Sequence, residues 1–197
     1  MTYSGVLMTT FQQHLMSRRT VYKFTEEEVP RDIITEALEA AATAPCHKHT
    51  HPWKFYSIGK KTRKSLIPDV QRLAKIKSEK RGSTNLEGDL KRAVEKIINV
   101  PVLFAITTKR NPEDLFREKE DYAATVCALH NMVLSFWANG VGSMWSTGSI
   151  TREVETYQNL GIDMQKEEII GFLKAGYPIV TPSVKKPSYD QLTTFLE

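Results

Sequence analysis

Cysteine is scarce in this 197-residue sequence: Cys46 and Cys127 are the only two, and they lie far apart. That excludes a disulfide framework and makes a reducing, cytoplasmic setting the expectation. Long apolar runs are missing as well, and none approaches the ~18 residues a membrane-spanning helix needs. The opening MTYSGVLM has neither the basic nor the apolar region of a signal peptide. No G-x-G-x-x-G follows a strand pattern, and there is no Walker A loop, H-E-x-x-H or G-x-S-x-G. Those absences exclude a Rossmann domain, a P-loop, a zincin helix and a nucleophile elbow. Any nicotinamide cofactor must therefore use a different kind of site. Internal repeats and low-complexity segments are also lacking.

The net charge of +4 and a pI near 9.0 raise the question of a nucleic-acid partner. Much of the excess lies in residues 59–82, GKKTRKSLIPDVQRLAKIKSEKRG, where Leu66, Ile67, Val70, Leu73 and Ala74 recur at helical spacing. The pattern predicts one amphipathic helix with a solvated basic face. No interleaved aromatics support a nucleic-acid surface, and none is expected.

What is present fits a soluble globular chain: 41% hydrophobic and 25% charged, organised as a single domain over residues 1–197. FQQHLMSRR reads as a short helix. Pro30 opens a helix whose stripe is Ile33, Ile34, Ala37, Leu38, Ala41 and Ala42, and Pro45 ends it. WKFYSI and PVLFAITTK read as strands, the second buried, and LEGDLKRAVEKIIN as a helix. The longest helical segment, LFREKEDYAATVCALHNMVLSFWANG, is apolar on more than one face, so it is central or at a subunit interface; Gly140 suits its end. Cys127 within it is expected to be a small buried hydrophobe, and His14 and His130 hydrogen-bonded polar residues. VGSMWSTGS is a strand running into a turn, REVETYQNLG a helix closed by Gly161, and EEIIGFLKAGYP a strand. The tail beyond residue 178 is expected to run extended over the surface or a partner. Helices alternate with few strands and without βαβ repetition, which predicts an α+β fold.

Two stretches carry candidate chemistry. Arg18, Arg19 and Thr20 put two guanidinium groups and a hydroxyl at a helix-to-loop junction, suited to a phosphate or an anionic ring edge. The alternative is a surface ion pair with Glu26–Glu28. TAPCHKHTHPW, residues 43–53, sets His47, His49 and His51 at alternate positions behind Cys46. On an extended segment such residues share a face and can ligate a metal; the other reading is a polar loop holding something larger than an ion. Trp53 and Phe55 are expected to pack in the core, and Trp145 to serve core or cofactor wall.

The order of these segments, SRRTVYKF, then EALEAAATAPCHKHTHPWKFYSI, then FWANGVGSMWSTGSIT, then IIGFLKAGYP, resembles the nitroreductase family of FMN-dependent oxidoreductases, in its minimal nitroreductase-like subgroup. The resemblance covers nearly the whole chain. It implies an α+β sandwich with a central, mainly antiparallel sheet flanked by helices, and an intertwined homodimer with two FMN sites at the interface. Arg18, Arg19 and Thr20 would contact FMN through its phosphate and pyrimidine edge. Thr43 and His47 would lie against it across the subunit interface. Trp145, Ser146, Thr147 and Gly148 would line the isoalloxazine. NAD(P)H would be the co-substrate, and a nitroaromatic, quinone or similar small molecule the electron acceptor, in a ping-pong cycle. Two departures stand out: His49 and His51 replace amides common in the family loop, and only Lys185 and Lys186 offer a late phosphate contact. The competing functions are a metal-dependent hydrolase built on His47, His49 and His51, and a basic binding module without catalysis.

Overall fold

The structure, a computed structural model, describes residues 10–196; the MTYSGVLM segment lies outside them. Helix α1 (Phe11–Ser17) starts at a reciprocal cap, in which Gln13 N donates to Thr10 Oγ1 at 3.2 Å and Thr10 N to Gln13 Oε1 at 2.9 Å. Pro30 stands just ahead of α2 (Arg31–Ala42) as its N-cap. Strand β1 (Trp53–Ser57) follows, then α3 (Lys60–Ser65), α4 (Ile67–Lys80) and α5 (Leu86–Ile98). Residues 59–82 are therefore two helices rather than one. The break falls at Leu66, where Pro68 in the first turn of α4 cannot continue the preceding ladder of hydrogen bonds. Leu66 and Val70 are buried as their spacing predicts, and the lysines stay in solvent.

Strands β2 (Val102–Lys109), β3 (Gly142–Ser146) and β4 (Glu167–Gly176) complete a four-stranded sheet of order β1-β2-β4-β3, antiparallel at every pairing. Among the described residues this is the α+β sandwich expected. One face carries α2 and the long α6 (Leu115–Ala138) over Phe104, Ile106, Leu173 and Ala175. The other carries α3, α4, α5 and α7 (Val154–Leu160) over Leu103, Ala105, Ile169 and Phe172. Trp53 and Phe55 pack against the first cluster, as predicted. The two central strands are buried on both faces, which explains their apolar runs, Val102–Ile106 in β2 and Ile169–Leu173 in β4.

Arg63 locks the helical layer to the sheet. Its buried guanidinium donates to the carbonyls of Ile58 (2.8 Å), Ile98 (3.2 Å), Val100 and Pro101 (3.4 Å). It thereby satisfies the chain end of α5, whose last carbonyls lack helical partners. On α6, Ala124, Ala128, Met132 and Phe136 face the core, while Tyr122, Ala123 and Cys127 face solvent. Cys127 is thus exposed and not buried. It lies on a weakly polar outer face that this chain does not cover. Beyond β4 the tail is extended apart from a 3₁₀ turn at Tyr189–Gln191, and Ile179, Val180, Val184, Leu192 and Phe195 are exposed along it.

Candidate functional site

Arg18 follows α1 directly, and Thr20 pairs in parallel with Ser143 at the open edge of β3. Val21 N donates to Ser143 O at 3.0 Å. Val21 is fully buried and sits where a side chain on Gly142 would be, since a Cβ there would come within 2.4 Å of it. This close approach docks the Arg18–Thr20 segment beside the strand that leads to Trp145–Gly148. The two segments predicted for one ligand therefore share the edge of β3, with Thr20 level with Ser143, Arg18 toward Val141 and Trp145 two residues beyond Ser143 the other way.

Neither arginine forms the alternative ion pair with Glu26–Glu28, and neither has a carboxylate partner among the described residues. Arg19 instead donates to the carbonyls of Met16 (2.8 Å) and Arg18 (2.9 Å), closing the end of α1. The half-buried Arg18 is the freer of the two. It lies near His130 of α6, whose imidazole pKa is lowered by partial burial and by the Arg18 charge. His14, by contrast, is hydrogen-bonded as expected, with Nε2 3.0 Å from Leu134 O.

Trp145 is 37% exposed, with Nε1 donating to Ile170 O at 3.2 Å. Its ring rests on Gly171, where a Cβ would come within 2.1 Å of the indole nitrogen. One side of the indole is sheet and the other is open, so it is both core and wall. Ser146, Thr147 and Gly148 leave the end of β3 as a loop. The N–H groups of Thr147 and Gly148 have no protein partner among the described residues, and Gly148 O accepts from Thr151 N and Oγ1, both at 3.0 Å.

The histidine stretch is not a strand. A 3₁₀ turn covers His47–His49, and Lys48, His49 and His51 take φ values of 52°, 53° and 42°. Three non-glycine residues in the left-handed region within four positions mark a strained loop, held by its surroundings. Thr50 Oγ1 donates to buried Asp121 at 2.6 Å, and His51 N to Cys46 Sγ at 3.4 Å. His47 Nδ1 stands 3.8 Å from Glu120, and Thr43 Oγ1 donates to Ala40 O at 2.8 Å. The alternation that would let three histidines share a face is destroyed by the left-handed turns. Among the described residues no group of three His, Cys, Asp or Glu could hold a metal ion. His47 meets α6 near Glu120 and Arg18 meets it near His130, three helical turns or about 15 Å further along. Within one chain, His47 is therefore not brought to Arg18. Lys185 and Lys186 are exposed in the tail, away from any described partner.

The sequence reading missed Lys174. It sits on β4 opposite Met144 and Leu103, 6% exposed, on the face covered by α5. Its pKa is lowered from 10.5 to about 8 by burial, with Lys96 adding to the effect. A single lysine inside the apolar run IIGFLKAG was the available signal.

Comparison with known proteins agrees with this geometry. The profile of the Nitroreductase family matches residues 15–177. YfhC of Bacillus subtilis strain 168, provisionally named an NAD(P)H nitroreductase, is 30% identical over 181 residues, covering 91% of each chain. A nitroreductase-like family protein from Bacillus cereus superposes with a TM-score of 0.81 at 26% identity, covering 98% of this chain and 100% of that one. An FMN complex of a nitroreductase-type protein from Desulfovibrio desulfuricans gives 0.74 at 20% identity, covering 94% and 96%, and shares the fold. The matched span runs from α1 through the end of β4 and takes in both the Arg18–Thr20 and the Trp145–Gly148 segments, so the chain belongs to the nitroreductase family.

Proposed function

We propose that this chain, an FMN-dependent oxidoreductase by family, is one domain over residues 1–197. It takes hydride from NAD(P)H and passes electrons to nitroaromatic, quinone or similar acceptors in a ping-pong cycle. The observation that carries the reading is the docking of Arg18–Thr20 against β3, the strand that leads to Trp145: a carboxylate-free cation and a part-open indole belong to one sheet edge. Those residues fit a flavin nucleotide. Arg18 supplies charge for the phosphate or the pyrimidine edge, Thr20 a hydroxyl, and Trp145 a planar wall. The unpartnered N–H groups of Thr147 and Gly148 supply donors for a ring nitrogen. When bound, FMN supplies two-electron exchange, accepting hydride from one substrate and returning the electrons to the next.

The chain's own contribution is positioning. Val21 against Gly142 holds the arginine segment to the sheet, and Gly171 lets the Trp145 ring lie flat. In the overall reaction NAD(P)H leaves as NAD(P)⁺. A quinone takes up two electrons and two protons and leaves as the hydroquinone. A nitro group takes up the same and leaves as nitroso with one water. One site used in turn removes the need for a Rossmann domain. The name given to YfhC supports the nicotinamide donor, and the FMN complex of the Desulfovibrio protein supports the cofactor.

The uncovered face of α6, the exposed apolar tail and the separation of His47 from Arg18 support a homodimer, in which Thr43 and His47 of one subunit reach the flavin of the other. Such a dimer is linked to cofactor binding. The test is the visible spectrum of purified protein with light scattering, followed by anaerobic addition of NADH or NADPH. A yellow dimer bleached by a nicotinamide is expected; a colourless protein or a flavin-loaded monomer overturns the reading.

A further inference from the structure

A recess of ≈ 360 Å³ opens at the other edge of the sheet from β3, where the start of β1, the end of β2 and the start of β4 come together. Four basic side chains line it: Lys54, Lys109, Arg110 and Lys166. Two of them are already neutralised. Lys54 Nζ stands 2.5 Å from the carboxylate of Glu167, which also accepts from Thr107 at 2.5 Å and Tyr56 at 3.0 Å. Lys166 is paired with Asp163 at 3.2 Å. Lys109 and Arg110 have no carboxylate partner among the described residues. Both are held in place by the main chain. Lys109 N donates to Pro52 O at 2.9 Å and Arg110 N to Lys166 O at 2.8 Å, so the end of β2 is pinned on both sides. Arg110 Nε donates to Glu167 O at 3.4 Å, and the terminal nitrogens of this half-buried guanidinium have no partner among the described residues. A planar fork beside a second cation, with the nearby acids already engaged, is complementary to a phosphate monoester, a near-dianion with three acceptor oxygens. The position of the recess matters as well. His51 and Pro52 form part of its wall and close the loop that begins at His47. Four residues span at most about 14 Å, so that wall stands within this distance of His47. In the dimer of the preceding section His47 stands at the partner's flavin. A dinucleotide whose nicotinamide lies on that flavin carries its adenosine half within reach of the recess.

Resting on the flavin oxidoreductase reading and its dimer, we propose that this recess binds the ribose 2′-phosphate of NADPH and so makes NADPH rather than NADH the electron donor. Lys109 and Arg110 are specificity residues, since they meet the one group that distinguishes the two dinucleotides. The nicotinamide lies on one subunit's flavin and the phosphate in the recess of the other. NADH leaves both cations in water and gains nothing from them.

The experiment compares NADPH with NADH as donors for the flavin-saturated parent, Arg110→Ala and Lys109→Ala. The parent should show a kcat/KM favouring NADPH roughly ten- to a hundredfold, the range of one charge-assisted contact. In Arg110→Ala that preference should fall to near parity through a raised KM for NADPH, and Lys109→Ala should lower it in the same way. Lys75→Met, an exposed change on α4, should keep the preference. In parallel, calorimetric titration with adenosine 2′,5′-bisphosphate should show saturable binding to the parent, tighter than adenosine 5′-monophosphate by a similar factor, and Arg110→Ala should lose that difference. Inorganic phosphate should bind far more weakly than the bisphosphate. The titration needs no flavin. A colourless protein that still prefers the bisphosphate sinks the flavin reading and leaves phosphate recognition standing, whereas a yellow protein without that preference does the reverse. Three results overturn the proposal: a parent that uses NADH as efficiently as NADPH, a preference that survives in both Arg110→Ala and Lys109→Ala, or inorganic phosphate bound as tightly as the bisphosphate, which would make the recess a site for free phosphate.

Discussion

Replacing Lys174 with methionine should stabilise the protein at neutral pH. Burial lowers the ammonium pKa from 10.5 to about 8, with Lys96 second. The unfolded chain therefore holds the proton up to about pH 10.5, and the folded chain gives it up near 8. Because the unfolded state binds more protons across that window, stability rises with pH between about 8 and 10.5. Below 8 the charged lysine costs the fold the whole difference. About 2.5 pH units at about 1.36 kcal/mol each come to about 3 kcal/mol. Methionine keeps the length and the apolar stem and removes the charge, so Lys174→Met should gain about 1–3 kcal/mol at pH 7 and much less near pH 10.5. The other groups facing Lys174 are Lys96, Arg92, Glu95 and Asp89 on α5, Lys77 and Arg81 on α4, and Tyr22 and Lys23 before α2. They are present in both proteins, and the repulsion from Lys96 that is relieved in the variant is already part of the lowered pKa. Urea unfolding of parent and variant, equally saturated with flavin, at pH 7 and pH 10 measures it. A variant less stable than the parent at pH 7, or a gain equal at both pH values, would refute the reasoning.

Arg63→Ala should lose about 3 kcal/mol or more, because the carbonyls of Ile58, Val100 and Pro101 keep their burial without their donor; a urea midpoint within error of the parent contradicts this. Gly171→Ala should expel the Trp145 ring from β4, seen as a changed near-ultraviolet dichroism and weaker flavin binding, whereas an unchanged spectrum would show that the ring does not rest there. Arg18→Ala should weaken FMN roughly ten- to a hundredfold, and Arg19→Ala less, since Arg19 is committed to the Met16 and Arg18 carbonyls; equal losses would place both guanidinium groups on the cofactor. Activity with NAD(P)H should survive exhaustive chelation. Loss on chelation with recovery on adding zinc would revive the metal reading of His47, His49 and His51.

Local pattern carried much of the architecture. The stripe from Ile33 to Ala41, the two apolar strands and the Gly161 turn each encode their element through nearest neighbours and are found as predicted, while Ala42, counted in the stripe, is exposed at the end of α2. Where a nearby proline competes with periodicity the pattern misleads. Pro68 divides the basic segment because a missing N–H outweighs a continuous apolar stripe. The ordered motifs marked the family and the Arg18 and Trp145 segments. Only the tertiary structure decided what these residues touch. Cys127 is exposed because the facing of a helix depends on which neighbours arrive, and an all-round apolar helix does not say which side stays open. The histidines turn away from a shared face because Asp121 and Cys46 hold the loop in left-handed conformations that no alternation encodes. Lys174 is buried because β4 is central to the sheet and α5 closes over it. Burial depends on the whole fold, and the charge of one lysine acquires its chemical meaning only there.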